Sequence, residues 1–334
     1  MAARRAAPVT EVALGELRSP GGDSSPSVSE RAYPRRVILA AEVRGVPIGQ
    51  AVPIVLAALA WAALYLRGCA RLRGTARAVP SWRIACFVAG VVLMTAALIT
   101  PLAEMAQELF WAHMLEHLMV GDLATLLLVL GLTGPLIAPL LRLPGMGILR
   151  ALAHPVPAFG LWALSLYAWH VPALHEAAVR HDAVHLIQHT MFIGLGFNMW
   201  MALLGPLPKP AWFGGAAMLG YVVSVRLTAA VLGNVFVFGG GDAYGVYALG
   251  EARWDISPAG DQVTAGAIMM VEGSFVTLGL LCWLFLRAAR QTDERQELVE
   301  YGRERGVELT DQRAGRAVAA GRGHELRERI ERDS

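Results

Sequence analysis

About seven apolar stretches, each long enough at about 1.5 Å per residue to cross a hydrocarbon layer of about 30 Å, leave this chain few folding options. They fall near residues 47–66, 84–100, 109–132, 156–170, 185–204, 212–238 and 263–286. A backbone in lipid must satisfy its amides internally, so serial segments of this length imply helices. The expected fold is all-α: a polytopic membrane helix bundle with about seven transmembrane helices. Of 334 residues, 55% are hydrophobic and 17% charged, and the mean hydropathy is +0.46, above the usual range of soluble domains. Lipid is the expected solvent. The net charge of +2, with basic residues confined to loops and tails, gives no groove for nucleic acid. Cys69, Cys86 and Cys282 form no C-x-x-C pair, so neither a disulfide framework nor a thiolate metal site is expected.

Three segments follow. Residues 1–46 are polar and rich in Pro, Ser and Gly, lack a signal-peptide pattern and read as disordered; 47–290 form the membrane domain; 291–334 form a charged cytoplasmic tail, expected as a solvated helix or disorder. The first span is expected to act as its own insertion signal. Arg67, Arg71, Arg73, Arg77 and Arg83 lie between the first two spans, while Glu104 and Glu108 follow the second without a basic residue. The positive-inside rule therefore gives N-out and C-in, with Arg142, Arg150, Lys209, Arg287 and Arg290 also inside and the acidic stretch from Asp242 to Asp261 outside. Arg31, Arg35, Arg36 and Arg44 alone oppose it. Gly134, Pro135 and Pro139 interrupt an apolar run, as either a broken helix dipping into the interface or an ordinary turn.

Eight of the nine histidines lie between His113 and His189. In the inferred topology His113, His117, His170, His175, His181, His185 and His189 all approach the outer face, leaving His154 and His324 elsewhere. His113 and His117 are four apart, as are His181, His185 and His189, so each helix can present two rings on one face. Imidazoles from facing helices suit copper, zinc or haem iron, and Met105, Met114 and Met191 lie near enough in sequence to add sulfur for Cu(I). Any single histidine at a helix end is better explained by hydrogen bonds at the interface, but ionisable residues grouped within spans usually carry function. H-M-L-E-H at 113–117 is no H-E-x-x-H, because Glu116 stands in the wrong slot for a zinc protease. Asp122, Arg226 and Glu272 lie deeper, where each needs a partner; Arg226 and Glu272 sit at similar depth and are expected to pair as a structural clamp. A proton or ion pathway is the functional alternative.

The motifs H-M-L-E-H at 113–117, W-H-V-P at 169–172, H-L-I-Q-H at 185–189, L-G-P at 204–206 and D-Q-V-T-A-G at 261–266 stand in an order that resembles the caa3-type cytochrome c oxidase assembly factor family, CtaG-like multi-span proteins of bacterial cytoplasmic membranes. The resemblance runs from the first span to the seventh. It implies a role in maturing a haem-copper terminal oxidase at the stage of copper insertion, with the oxidase's catalytic subunit as partner and room for a copper donor protein. His113, His117, His170, His185 and His189 match the family's histidines, and Asp261 and Gln262 its D-Q pair. His175 stands where an aromatic residue is commoner, and His181 is an addition. Arg226 and Glu272 replace neutral residues or proline. The expectation is a copper-holding assembly factor rather than an enzyme. A haem-binding membrane protein, a copper transport or resistance protein and a metal-free scaffold remain the alternatives.

Overall fold

The computed structural model describes residues 46–319 and 321–333, so Arg31, Arg35, Arg36, Arg44 and the rest of the polar segment up to residue 45 lie outside the described residues. Those described are helical with no strand among them, and the chain is an all-α polytopic membrane protein. The order begins with α1 (Ile48–Leu72), α2 (Ser81–Ile99), a short α3 (Pro101–Glu108) and α4 (Phe110–Gly131). The excursion of 134–142 folds as a one-turn helix, Gly134–Ile137 (α5), and a 3-10 turn, Leu140–Arg142, ahead of α6 (Met146–Leu152). Then come α7 (Pro155–Trp169), α8 (Pro172–Arg180), α9 (Asp182–Leu204), α10 (Gly215–Phe238), α11 (Ala248–Trp254), α12 (Pro258–Glu304), α13 (Asp311–Ala319) and α14 (Gly323–Asp333). Pro101, Pro155, Pro172 and Pro258 each stand at a helix start, where a missing N–H costs nothing.

Among the described residues, five helices are long and apolar enough to cross a bilayer: α1, α2, α4, α10 and α12. Their outward faces carry Leu59, Leu64, Val92, Val231, Phe275 and Phe285, exposed side chains that lipid solvates. The other two expected spans are α7 and α9. Proline bounds α7 on both sides, leaving 15 residues, about 23 Å of rise. α9 has 23 residues but is diluted by Asp182, His185, Gln188, His189 and Asn198.

α4 is the hub, packed against α2, α9 and α12. Two close crossings set the geometry: a Cβ on Gly196 of α9 would run into the Gly121 carbonyl of α4, and one on Gly266 of α12 would lie 2.6 Å from the Gly233 carbonyl of α10. Small residues let membrane helices approach in this way. One end of α4 is closed by Arg83, whose Nη1 donates to Leu130 O (2.8 Å) and Leu132 O (2.9 Å), and by the Tyr65 hydroxyl, which donates to Gly131 O (2.8 Å). A cation at a helix C-terminus meets both orphan carbonyls and the negative end of the dipole.

The tail is helical, one of the two expected alternatives, with a small core in addition. α12 runs 47 residues without a break through position 290, about 70 Å. Beyond the apolar part, Leu298 joins Ala314, Val318, Leu326 and Ile330 in a small separate core, and Arg295 pairs with Asp311 at 3.2 Å. The apolar residues of 291–334 are sparse but recur on matching helix faces, which a reading of bulk composition overlooks.

Candidate metal centre

α4 and α9 each carry two histidines one turn apart, and the Gly121–Gly196 contact brings those faces together. Gly121 lies one turn beyond His117, so the backbones are already close where the rings project. His113–His117 ring centroids are 4.4 Å apart, His117–His189 5.0 Å, His185–His189 4.3 Å and His113–His185 5.5 Å. His113, His117 and His189 are buried, as is Glu116 between them in sequence.

Hydrogen bonds to carbonyls fix several protons, since a carbonyl oxygen only accepts. His113 Nδ1 donates to Ala106 O (3.1 Å), so in the neutral ring Nε2 is a lone pair. His117 Nε2, 2.7 Å away, then donates to it, leaving His117 Nδ1 as a buried lone pair without a hydrogen-bond partner. His189 Nδ1 likewise donates to His185 O (3.2 Å), and its Nε2 lies 3.5 Å from the Glu116 carboxylate. A lone pair facing a carboxylate needs a proton or a metal cation between them. His185 Nε2, Glu116 Oε2 and both amide atoms of Gln188 are also buried without hydrogen-bond partners.

Glu116, His185 and His189 offer donor atoms within 4.8 Å of one another. Ligands about 2 Å from a shared ion lie up to about 4 Å apart, so an adjustment of under about 1 Å gathers the three. The imidazole and carboxylate donors present fit a copper or zinc ion. Sequence reasoning passed over Glu116, which it tested only as a protease base; its place three residues after His113 on the same helix was the available signal.

His170, the C-cap of α7, has its Nε2 3.2 Å from Met114 Sδ and lines one cavity with His117. His175, buried on α8, accepts or donates at Nε2 with the Tyr247 hydroxyl (2.8 Å), and its ring lies 4.8 Å from His113. Burial, then repulsion from His170, pushes its imidazole down to about 3, so it is neutral. Tyr247 and α11 close this end, with Arg253 and Trp254 Nε1 both donating to the Glu108 carboxylate, the latter at 2.7 Å. His181 is exposed at the N-cap of α9, and Met191 is exposed on it.

Asp261 and Gln262 hold backbone instead. The Asp261 carboxylate accepts from Phe110 N and Trp111 N (2.8 Å each), capping the start of α4 from another helix, while Gln262 accepts from Ala243 N (3.0 Å) and donates to Phe236 O (3.1 Å).

The deeper charges meet as a triad. Arg226 grips Asp122 through both terminal nitrogens (2.7 and 3.2 Å), with Glu272 farther off at 3.7 Å; Trp200 Nε1 adds a bond to Asp122 (2.9 Å). The expected Arg226–Glu272 pair is thus secondary to one with Asp122. A π turn at Met119–Leu123 places Asp122 there, shifting its register relative to His117. A cavity of about 50 Å³ touches both groups, lined among others by Met114, His117, His170, Asp122, Arg226 and Glu272.

The profile of the family described as "Cytochrome c oxidase caa3 assembly factor" matches residues 63–291. Among curated relatives, the uncharacterized protein ML1998 of Mycobacterium leprae is 24% identical over 246 residues, 68% of this chain and 37% of its own length. The uncharacterized protein Mb0105 of Mycobacterium bovis is 26% identical over 164 residues, 44% of this chain and 24% of its own. The chain thus spans little more than a third of the longer match. No solved structure matches it.

Proposed function

The chain belongs to the cytochrome c oxidase caa3 assembly factor family, and on that premise we propose that it assists maturation of a haem-copper terminal oxidase by holding copper at its histidine end and passing it to the catalytic subunit. The observation that carries this reading is the set of buried donors around Glu116, His185 and His189 that lack hydrogen-bond partners, with His113 and His117 beside them. Buried polar atoms are normally paired, so such a set is suited to binding a cation. We place the histidine end outside, in a seven-span, N-out and C-in arrangement within a bacterial cytoplasmic membrane. Arg83 at the opposite end of α4 supports that orientation.

Delivery proceeds by ligand exchange: an imidazole leaves as an oxidase ligand arrives, and no substrate bond is broken. The family is one of assembly factors, not of catalysts. A copper donor protein would load the same end. A haem group finds little support, since the cavity beside the rings is about 50 Å³ and organic ligands of that class occupy pockets of about 300 Å³ or more.

Elemental analysis with an optical spectrum, on detergent-purified protein loaded with copper, tests the proposal against a His117→Ala, His189→Ala double variant. Copper on the wild type and its loss from a variant of unchanged helicity is the expected result. A Soret band would replace copper with haem, and no specific metal on either protein would leave a scaffold.

A further inference from the structure

We propose that His170 and Met114 form a second, soft subsite in this chamber, selective for cuprous ion and separate from the nitrogen and carboxylate donors of α4 and α9. The inference deepens the copper reading above and rests on it.

The geometry carries it. His170 Nδ1 is 2.6 Å from Leu166 O, an acceptor only, so Nδ1 bears the proton. In the neutral ring Nε2 is then a lone pair, and it points at the lone pairs of Met114 Sδ, 3.2 Å away. Neither atom has a hydrogen to offer the other. An imidazolium would supply one, but among the described residues no carboxylate hydrogen-bonds or pairs with His170, and a buried charge without a counter-charge is costly. His170 is 9% exposed and Met114 2%, so bulk water does not separate them.

A cation satisfies both atoms. Bonds of about 2.0 Å to nitrogen and about 2.3 Å to sulfur at a tetrahedral angle set an N···S span of about 3.5 Å, within a few tenths of an ångström of that observed. Thioether with imidazole is a soft pair, suited to Cu(I) over Zn(II) or Cu(II). Both residues line the cavity of about 50 Å³, room for an ion and a water.

The subsite is distinct from the first. No contact joins His170 to Glu116, His185 or His189 among the described residues, and the Phe192 ring neighbours both sets, 6.2 Å from His170 and 4.6 Å from His117. His117 nevertheless lines the same cavity, giving an ion a route between the two sets of ligands by exchange.

The test is Cu(I) binding by competition with bicinchoninate under anaerobic conditions, with X-ray absorption of the loaded full chain. Wild type, Met114→Leu and the His117→Ala, His189→Ala double variant are compared. Leu keeps the side-chain volume close to that of Met, so the fold should tolerate it. The expected result is a sulfur scatterer at about 2.3 Å in the wild type, absent from Met114→Leu, whose Cu(I) affinity falls by about 10–100-fold while Zn(II) binding is unchanged. The double variant should retain the sulfur scatterer. Copper on the wild type with nitrogen and oxygen neighbours only would overturn the soft subsite and leave the copper reading standing. Loss of the sulfur signal from the double variant would overturn its separateness, and absence of copper from the wild type would overturn both.

Discussion

Two polar clusters sit about a turn apart along α4, and they differ in what meets what. In the deeper one opposite charges meet: Arg226 lies against Asp122 and, farther off, Glu272. Nearer the start of the helix acceptors meet acceptors, His189 Nε2 against Glu116 and His170 Nε2 against Met114. The first arrangement holds itself together and ties α4 to α10 and α12. The second needs a proton or a cation between its facing acceptors, and in the function proposed above it is the part that binds rather than braces.

The largest effect should come from breaking the self-sufficient cluster. Arg226→Met leaves two carboxylates in the bundle interior without their guanidinium, a loss of about 3–5 kcal/mol, whereas Glu272→Gln should cost much less because Glu272 is the distant partner. Thermal melting in detergent reads both. If Arg226→Met melted like wild type while the paired histidine variant failed to fold, the assignment of brace and binding site would be reversed.

A smaller effect sharpens the border of the binding site. Asp261→Ala removes the cap of α4, and should lower stability by about 0.5–2 kcal/mol with the copper stoichiometry of the folded protein intact. Copper loss at unchanged melting temperature would move Asp261 from positioning backbone to holding metal.

The smallest effect lies at the lid. Burial, then repulsion from Asp261 and Asp242, raises the Glu251 carboxyl to about 7 from an ordinary 4.5. The folded state thus binds the proton more tightly than the unfolded one, and stability from this group is full below about pH 4.5 and lost as pH rises through about 7. Glu251→Gln, always neutral, should melt above wild type at pH 8, and the two should converge near pH 4.5. A difference independent of pH would assign the effect to packing.

The long apolar helices were legible before any coordinates, because lipid forces such runs into helices, whereas short helices such as α8, which carries His175, were read as loop. The pairing of His113 with His117 and of His185 with His189 was equally local, set by the turn of the helix. Asp261 was harder: its family match suggested the site, yet its oxygens serve a helix 150 residues away in sequence. The small core of the tail was not legible for a related reason, since a few apolar side chains make a core only when α12, α13 and α14 are stacked.

The sequence by itself determined the membrane class, the helical segments and the clustering of histidines, all consequences of hydropathy and of a period near 3.6 residues. Only the tertiary structure decided that α4 and α9 touch through Gly121 and Gly196, that Arg226 prefers Asp122 to Glu272, and that Glu116 joins the histidines. Helix periodicity says which side chains share a face, but which faces meet depends on backbone approach. That approach is set by glycines and by a π turn whose consequences lie on the neighbouring helix.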